Sequence, residues 1–584
     1  MTRRARRGLI AATATLCLAL LAGGCVQMPD SGAVHETDTS ADTSEEQASS
    51  IDAVPPQPNA PARDVAKGFI DAMSAWPIQT GVARQFLSEE AAESWRPGLG
   101  TITYTGSLIL QDRSNEASVQ LSEPERLDAS GAWQGQLPEA QRVLDLQMTF
   151  EDGEYRITNP PNALVVPASW FAQRFRQVSL YFFDRTGRIL VPEPVFVPRG
   201  DQLPSTLVER LADGPSGELS RISRSYLPDV EPVLSVPVTG EGVAQVEFGE
   251  SVSPPGADDD LERMLAQLGW TLKQVPGISA LRVSIGGQEV RLPGGGAEYD
   301  VNQAQEYDPA AADADPLLYG LRGGRLVYGE PDTLAAADGP FGEDDHGLRS
   351  VSLRLDAGWA AGVSSDGDSL KLAQVRGAGR AEVHTIARGS TDLLPPAWDF
   401  TNRLWVVDRT AAGARVAFRE PRGSLTVLDV PGVTGRQVTA FLVSRDATRF
   451  VAVVRGRRGD QLRAGRILVG DNGRVDVAGP TRRIQIAEVD RTRITDIAWN
   501  SPTSILVLRP LSDELSEINT VAVDGAPVAE ALSPSVSGRL VALAAAPDDR
   551  STPFAVTPEA LVDLESLATI PLSDGRVTSI GYVG

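Results

Sequence analysis

The run VTAFLVSRDATRFVAVV at residues 438–454 places two apolar, β-branched segments on either side of the turn Ser444-Arg-Asp446, with no helical period. Its opening recurs as Ile494-Thr-Asp-Ile497, Leu540-Val-Ala-Leu543 and Val577-Thr-Ser-Ile580, each preceded within two residues by arginine, at spacings of 56, 46 and 37 residues. Turn clusters at Asn500-Ser-Pro502, Asp399-Phe-Thr-Asn402 and Ser364-Ser-Asp-Gly367 separate further strand-like runs such as 404–407. Irregular periods near ~45 residues with about four short strands each are those of a β-propeller. The strand at 577–580 is expected to complete the blade begun near 317–328, which seals the ring and removes a free edge. The blade count stays open at this point.

Working outward, 584 residues allow about four units at roughly 150 residues each. With 55 glycines and 41 prolines the chain is globular and rich in turns, which excludes coiled coil, collagen and wholesale disorder. A net charge of -23 leaves no excess of cations to neutralise phosphates, so nucleic acid is excluded as a partner. Three histidines and two cysteines argue against a zinc site or a histidine-based catalytic centre.

The informative cysteine lies near the front. Arg3, Arg4, Arg6 and Arg7 precede an apolar stretch at 9–21 that is too short for a spanning helix, and Ala22-Gly23-Gly24 leads into Cys25. This order resembles a bacterial lipobox, with Ala22 where the common form has leucine. The resemblance implies a signal peptide at 1–24 and a lipidated Cys25 as mature N-terminus; Cys17 would be discarded with the signal. Two acyl chains suffice for stable anchoring. The anchor continues into a tether that ends at residue 62. Residues 26–62 hold seven acids and no lysine or arginine, then Pro55, Pro56, Pro58 and Pro61, a composition that cannot repay its ordering entropy.

Three folded units follow. In 63–176, Val65, Phe69, Met73 and Trp76 mark one helix face ended by Pro77, and Ser88 caps a second helix with Glu89 and Glu90 in its first turn. Strand-like runs then follow at 102–111, 119–121, 133–137, 143–150 and 155–157, the last two joined across Asp152-Gly153. Helices on one face of an antiparallel meander give an α+β unit similar in outline to nuclear-transport-factor-2-like folds, which can enclose a pocket. In 177–290, strands at 178–183, 233–238, 243–248 and 281–285 alternate with helices opened by Pro204 and by Asp258-Asp-Asp260. Tyr181-Phe-Phe-Asp184 with Gly187, Leu211 through Gly214-Pro215, Leu227-Pro228 and Trp270-Thr-Leu272 with Gln274 resemble the GerMN module of sporulation and envelope lipoproteins. Residues 291–316, rich in glycine, alanine and acids, read as a linker, and 317–584 as the propeller.

Lipobox, acidic tether, helix-plus-meander unit, GerMN-like unit and propeller, in that order, resemble the actinobacterial lipoprotein family LpqB over the whole chain. Membership implies an outer-face membrane lipoprotein, anchored through Cys25, that interacts with the extracellular portion of the sensor kinase MtrB and modulates a two-component system for envelope and division functions. The residues themselves point to no chemistry. A phosphate-cradling loop and a Gly-x-Ser-x-Gly elbow are absent; His35, His346 and His384 fall in tether, loop and strand contexts. No catalytic, cofactor-binding or metal-ligating residue is therefore assigned, and no cofactor is expected. Two competing readings are a cell-wall glycan or peptide hydrolase and a small-ligand module using the N-terminal pocket.

Overall fold

The computed structural model describes residues 51–113, 115–228, 235–249, 258–292, 295–377, 382–470, 474–477, 479–486, 493–528, 534–572 and 575–584. Cys25 and His35 lie outside them.

The first helix of the described residues, Ala62–Ala72, buries Val65, Phe69 and Ile70, and Met73 forms its C-cap. It stops before Pro77, and Trp76 instead pairs with Ile51 in an isolated bridge and meets Trp170 edge-on at 6.0 Å. Ser88 Oγ accepts the Ala91 N–H at 3.3 Å, opening the helix Glu89–Ser94. The expected single meander is corrected to two four-stranded sheets, because the run at 102–111 divides at Thr105. Gly100–Tyr104 joins one sheet and Gly106–Arg113 the other. The strand Leu164–Pro167, missed in the sequence, runs parallel to the first of these. Its Val165 and Val166 are fully buried, so the run has no polar alternation to announce a strand. The Asp152-Gly153 hairpin has φ of 51° and 86° and pairs Glu151 with Glu154, the two left-handed residues a tight hairpin needs.

In the GerMN-like unit, Phe175–Asp184 pairs with Leu190–Pro198, and Val243–Phe248 runs parallel to Ala280–Ile285 across the helix Asp258–Leu272. Leu265, Leu268 and Leu272 lie in its core. Gln274 clamps the first strand by exchanging both hydrogen bonds with the Ser179 backbone at 2.8 and 2.7 Å. Of the strand expected at 233–238, the described part contributes a single bridge, Val238 to Ala244. The linker expectation for 291–316 also needs correction, since residues 299–314 form a packed strap. Tyr299–Asp300 pairs with Ala280 and Leu281. Tyr299, Val301 and Ala304 are buried with the GerMN-like core, and Ala314 with the first propeller core.

Six sheets of the described residues form the propeller blades, five four-stranded and one, the fourth, five-stranded. The repeated segments at 438, 494, 540 and 577 lead into or belong to the innermost strands of the fourth, fifth, sixth and closing blades. The ring closes as expected: Val577–Gly581 pairs antiparallel with Leu318–Arg322. Neighbouring inner strands are tied by indole donors, Trp398 to Ser352 O at 3.3 Å and Trp499 to Val443 O at 3.0 Å.

Between the fifth and sixth blades, the Asp496 carboxylate accepts the Leu543 N–H at 2.8 Å, yet burial pushes its pKa up to about 6. Unfolded, it would titrate near ~4, so between about pH 4 and 6 the folded chain binds a proton that the unfolded chain does not. Stability therefore rises as pH falls through that window, and the ionised form costs on the order of 3 kcal/mol above it. Urea unfolding at about pH 5 and pH 7 should give a higher midpoint at the lower pH, and Asp496→Asn should remove its share of that rise. A wild-type midpoint independent of pH would contradict this.

Candidate functional site

Three of the folded units meet around the fourth blade. The turn Ser444-Arg-Asp446, which the sequence marked only as a turn, is shaped by its own side chains: Asp446 Oδ1 accepts from Thr448 N at 2.8 Å, and Ser444 Oγ from Arg449 N at 2.9 Å. This fixes two buried arginines. Arg445 pairs with Asp548 at 2.7 Å and donates to Ala310 O and Val583 O at 2.9 and 3.0 Å, tying the fourth blade to the sixth, the strap and the closing segment. Arg449 reaches into the GerMN-like domain, donating to Pro192 O and pairing with Glu193 at 3.3 Å. Its cross-strand partner Arg466 pairs with the same carboxylate.

The N-terminal domain is held to both others. Arg482 of the propeller donates to Trp133 O and Gln134 Oε1, each at 3.1 Å. Phe196 N donates to Gly131 O at 2.9 Å. Gly131 has φ +86°, and a Cβ there would sit 2.4 Å from Phe196 O, so the approach requires glycine.

These contacts border a partly open cavity of about 500 Å³ at the junction. Among its lining residues, Arg126, Arg449, Arg466 and Arg482 are matched by Asp128, Glu193, Glu218 and Asp524, so the formal charges cancel. Three polar atoms of these residues are sealed from solvent and have no hydrogen-bond partner: Trp133 Nε1, Arg466 Nη1 and Asp524 Oδ2. Asp524 uses its other oxygen to accept the Ala526 N–H at 2.9 Å. Burial, reinforced by Glu193 and opposed by Arg449, pushes its pKa up to about 6.

In the N-terminal domain, where a small-ligand pocket is one of the competing readings, Phe69, Met73, Trp95, Leu127, Leu146 and Ile157 are fully buried core side chains. Of the residues weighed in the sequence, His346 Nε2 lies 3.1 Å from Pro340 O, and His384 is exposed in the strand His384–Ala387. Asp260 pairs with Arg263 at 3.2 Å at the start of its helix. The junction itself was not legible because its members are spread from Arg126 to Asp524. An arginine inside a conspicuous turn, as at Arg445, is the one local signal that pointed there. Among the described residues, no helix is long and apolar enough to cross a membrane.

Comparison with known proteins gives three family models along the chain. The N-terminal domain of lipoprotein LpqB matches residues 55–172, a sporulation and spore germination model matches 179–291, and the lipoprotein LpqB β-propeller domain matches 324–562. Lipoprotein LpqB of Thermobifida fusca is 26% identical over 558 residues, covering 86% of this chain and 87% of that one. Lipoprotein LpqB of Streptomyces coelicolor is 27% identical, covering 94% and 93%. Among solved structures, the first GerMN domain of the sporulation protein GerM from Bacillus subtilis is 22% identical, covers 22% of this chain and 98% of that one, and has a TM-score of 0.18.

Proposed function

The chain belongs to the LpqB lipoprotein family, and from that premise we propose that it is an extracytoplasmic protein, anchored through lipid on Cys25, that binds the extracellular domain of an MtrB-like sensor kinase and modulates its signalling. The observation that carries this reading is the way the propeller is mounted. One of its ends is capped by the GerMN-like domain, and the loops at the other end are left to meet a partner. The strand Arg449–Arg455 spans the blade, about 20 Å between its ends. Arg449 is buried against Glu193 at one end, while Arg455 is exposed at the other.

At that outer end the corner at the fourth blade carries an excess of positive charge in an acidic protein. Arg455, Arg457, Arg458 and Arg493 are exposed around Asp460, whose buried carboxylate is already engaged by Arg493 Nη1 at 2.8 Å and Ile494 N at 3.0 Å. Such a tip suits an acidic patch on the kinase, and the tether raises the effective concentration at the membrane so that a weak contact is populated. A hydrolase acting on the cell wall is the competing reading. Co-purification of the lipidated protein with the kinase from membranes tests the contact. Arg457→Glu with Arg458→Glu should lower the recovered kinase about tenfold, and Cys25→Ser should release the protein from the membrane fraction. Wild-type recovery of the kinase by the doubly reversed protein would remove the assignment to this face.

A further inference from the structure

We propose that two copies of this chain pair edge to edge through the strand Gly106–Arg113, joining their N-terminal domains into one continuous sheet. That strand ends its four-stranded sheet and is bonded on one side only, to Glu116–Ser122. Leu121 N donates to Arg142 O and Met148 N to Asn115 O, both at 2.9 Å, so the odd-numbered residues of Glu116–Ser122 turn their backbone groups to Val143–Glu151. The even-numbered ones therefore bond Gly106, Leu108 and Leu110, which leaves Ser107 and Ile109 with N–H and C=O turned outward. Among the described residues, no backbone group of another element meets this edge. Native edges are blunted by charge, proline or a bulge, yet Gly106–Leu110 holds neither charge nor proline, and the irregularity of the ladder falls after Leu110. Leu108 and Leu110 are 54% and 44% exposed on the outer face. An edge this unprotected is a template for a further strand.

What selects a second copy is self-complementarity. With a two-fold axis at Ile109, each Ile109 exchanges both backbone bonds with its twin, and Leu108 of either copy lies opposite Leu110 of the other. Opposite residues share a face, so the leucines of the two chains shield one another. Slipping the register by two residues sets a leucine opposite Gly106 or the acidic Asp112, so a single register is preferred. Residues 107–111 carry no charge, and the pairing sets no like charges opposite one another in a chain of net charge -23. The contact is short against the roughly 1,200–2,000 Å² that a stable complex buries, so the dimer is weak in free solution. Lipid on Cys25 would confine both copies to one surface and populate it. Only this concentrating step rests on the proposed anchor, and the pairing does not rest on the kinase reading.

The test uses the full-length lipoprotein in phosphatidylcholine vesicles recovered by flotation. Protein that fails to float removes the anchor assignment and is tested at about 1 mM in solution instead. Leu108→Cys and Leu110→Cys chains are mixed and oxidised with copper–phenanthroline. In the proposed register their Cα atoms lie about 4.5 Å apart, within disulfide reach, whereas either variant alone meets its twin on the diagonal at about 7–8 Å. The mixture should form disulfide dimer about fivefold faster than either variant alone. Leu108→Cys mixed with Val143→Cys, two strands inward on the same face, should stay at the wild-type background. Leu108→Lys with Leu110→Lys, both solvent-facing, should abolish energy transfer between donor- and acceptor-labelled chains. Oxidation in the membranes of the producing cells should give the same dimer. Equal rates in the mixture, the single variants and the Val143→Cys control, energy transfer indifferent to the two lysines, or a cross-link in cell membranes only to a different protein would overturn the proposal.

Discussion

An Arg449→Ala protein is expected to be less stable by about 3–5 kcal/mol and to release the GerMN-like domain from the propeller. The side chain is buried, and its removal takes a donor or counter-charge from three groups: the Pro192 carbonyl, the Glu193 carboxylate at 3.3 Å and Asp446 at 3.6 Å. Arg466 still faces Glu193, so the loss falls short of freeing a wholly unpaired charge, but the Pro192 carbonyl and Asp446 lose this donor. Calorimetry should show two separated transitions in the variant where the wild type unfolds as one. Adding Glu193→Ala should cost less than it does alone in the wild type, because the two groups are coupled. A single unshifted transition in Arg449→Ala would mean that this contact does not hold the domains.

Deleting residues 577–584 should have a still larger effect and leave the propeller without a cooperative fold. The segment supplies the innermost strand of the first blade and buries Val577, Ile580, Tyr582 and Val583. At about 1.5–3 kcal/mol for each, those side chains alone approach the whole stability of a typical domain. Further ties go with them: Arg445 to Val583 O at 3.0 Å, Ser352 Oγ to Gly584 O at 3.1 Å and Val351 N to Ser579 Oγ at 3.0 Å. The strand Leu318–Arg322 would be left as an unpaired, largely apolar edge, so aggregation is expected alongside unfolding. A soluble truncated protein with a sharp wild-type-like transition would contradict this account of ring closure.

The propeller was legible because its inner strands share one short pattern, four runs of four residues that begin and end on an apolar side chain, each introduced within two residues by arginine. That pattern follows from position: the inner strand must bury one face against neighbouring blades while its entry meets solvent. The GerMN-like residues were legible in part for a similar reason: Asp184 fixes its turn through local bonds, whereas Gln274 clamps Ser179 from 95 residues away. Asp184, for instance, accepts from Arg188 N at 2.8 Å. Other features were not written locally. Thr105 divides one apparent strand into two sheets, and Leu164–Pro167 pairs with a strand about 60 residues earlier, both decided by tertiary packing. The strap within 291–316 carries a linker composition, yet Tyr299 and Ala304 find buried places because two cores happen to flank them. The junction cavity is the extreme case, with Trp133 and Asp524 nearly 400 residues apart in the chain.

On the proposed reading, lipid attachment at Cys25 and the exposed arginines of the fourth blade serve one role, modulation of a membrane sensor kinase. Such modulation requires unequal affinity for the kinase's alternative states. The direct measurement is the autophosphorylation rate of an MtrB-like kinase in membrane vesicles with and without the lipidated protein. The rate should change at least about fivefold on addition, and the change should vanish with Arg457→Glu and Arg458→Glu together. An unchanged rate with the wild-type protein, together with no co-purified kinase, would contradict the regulator reading.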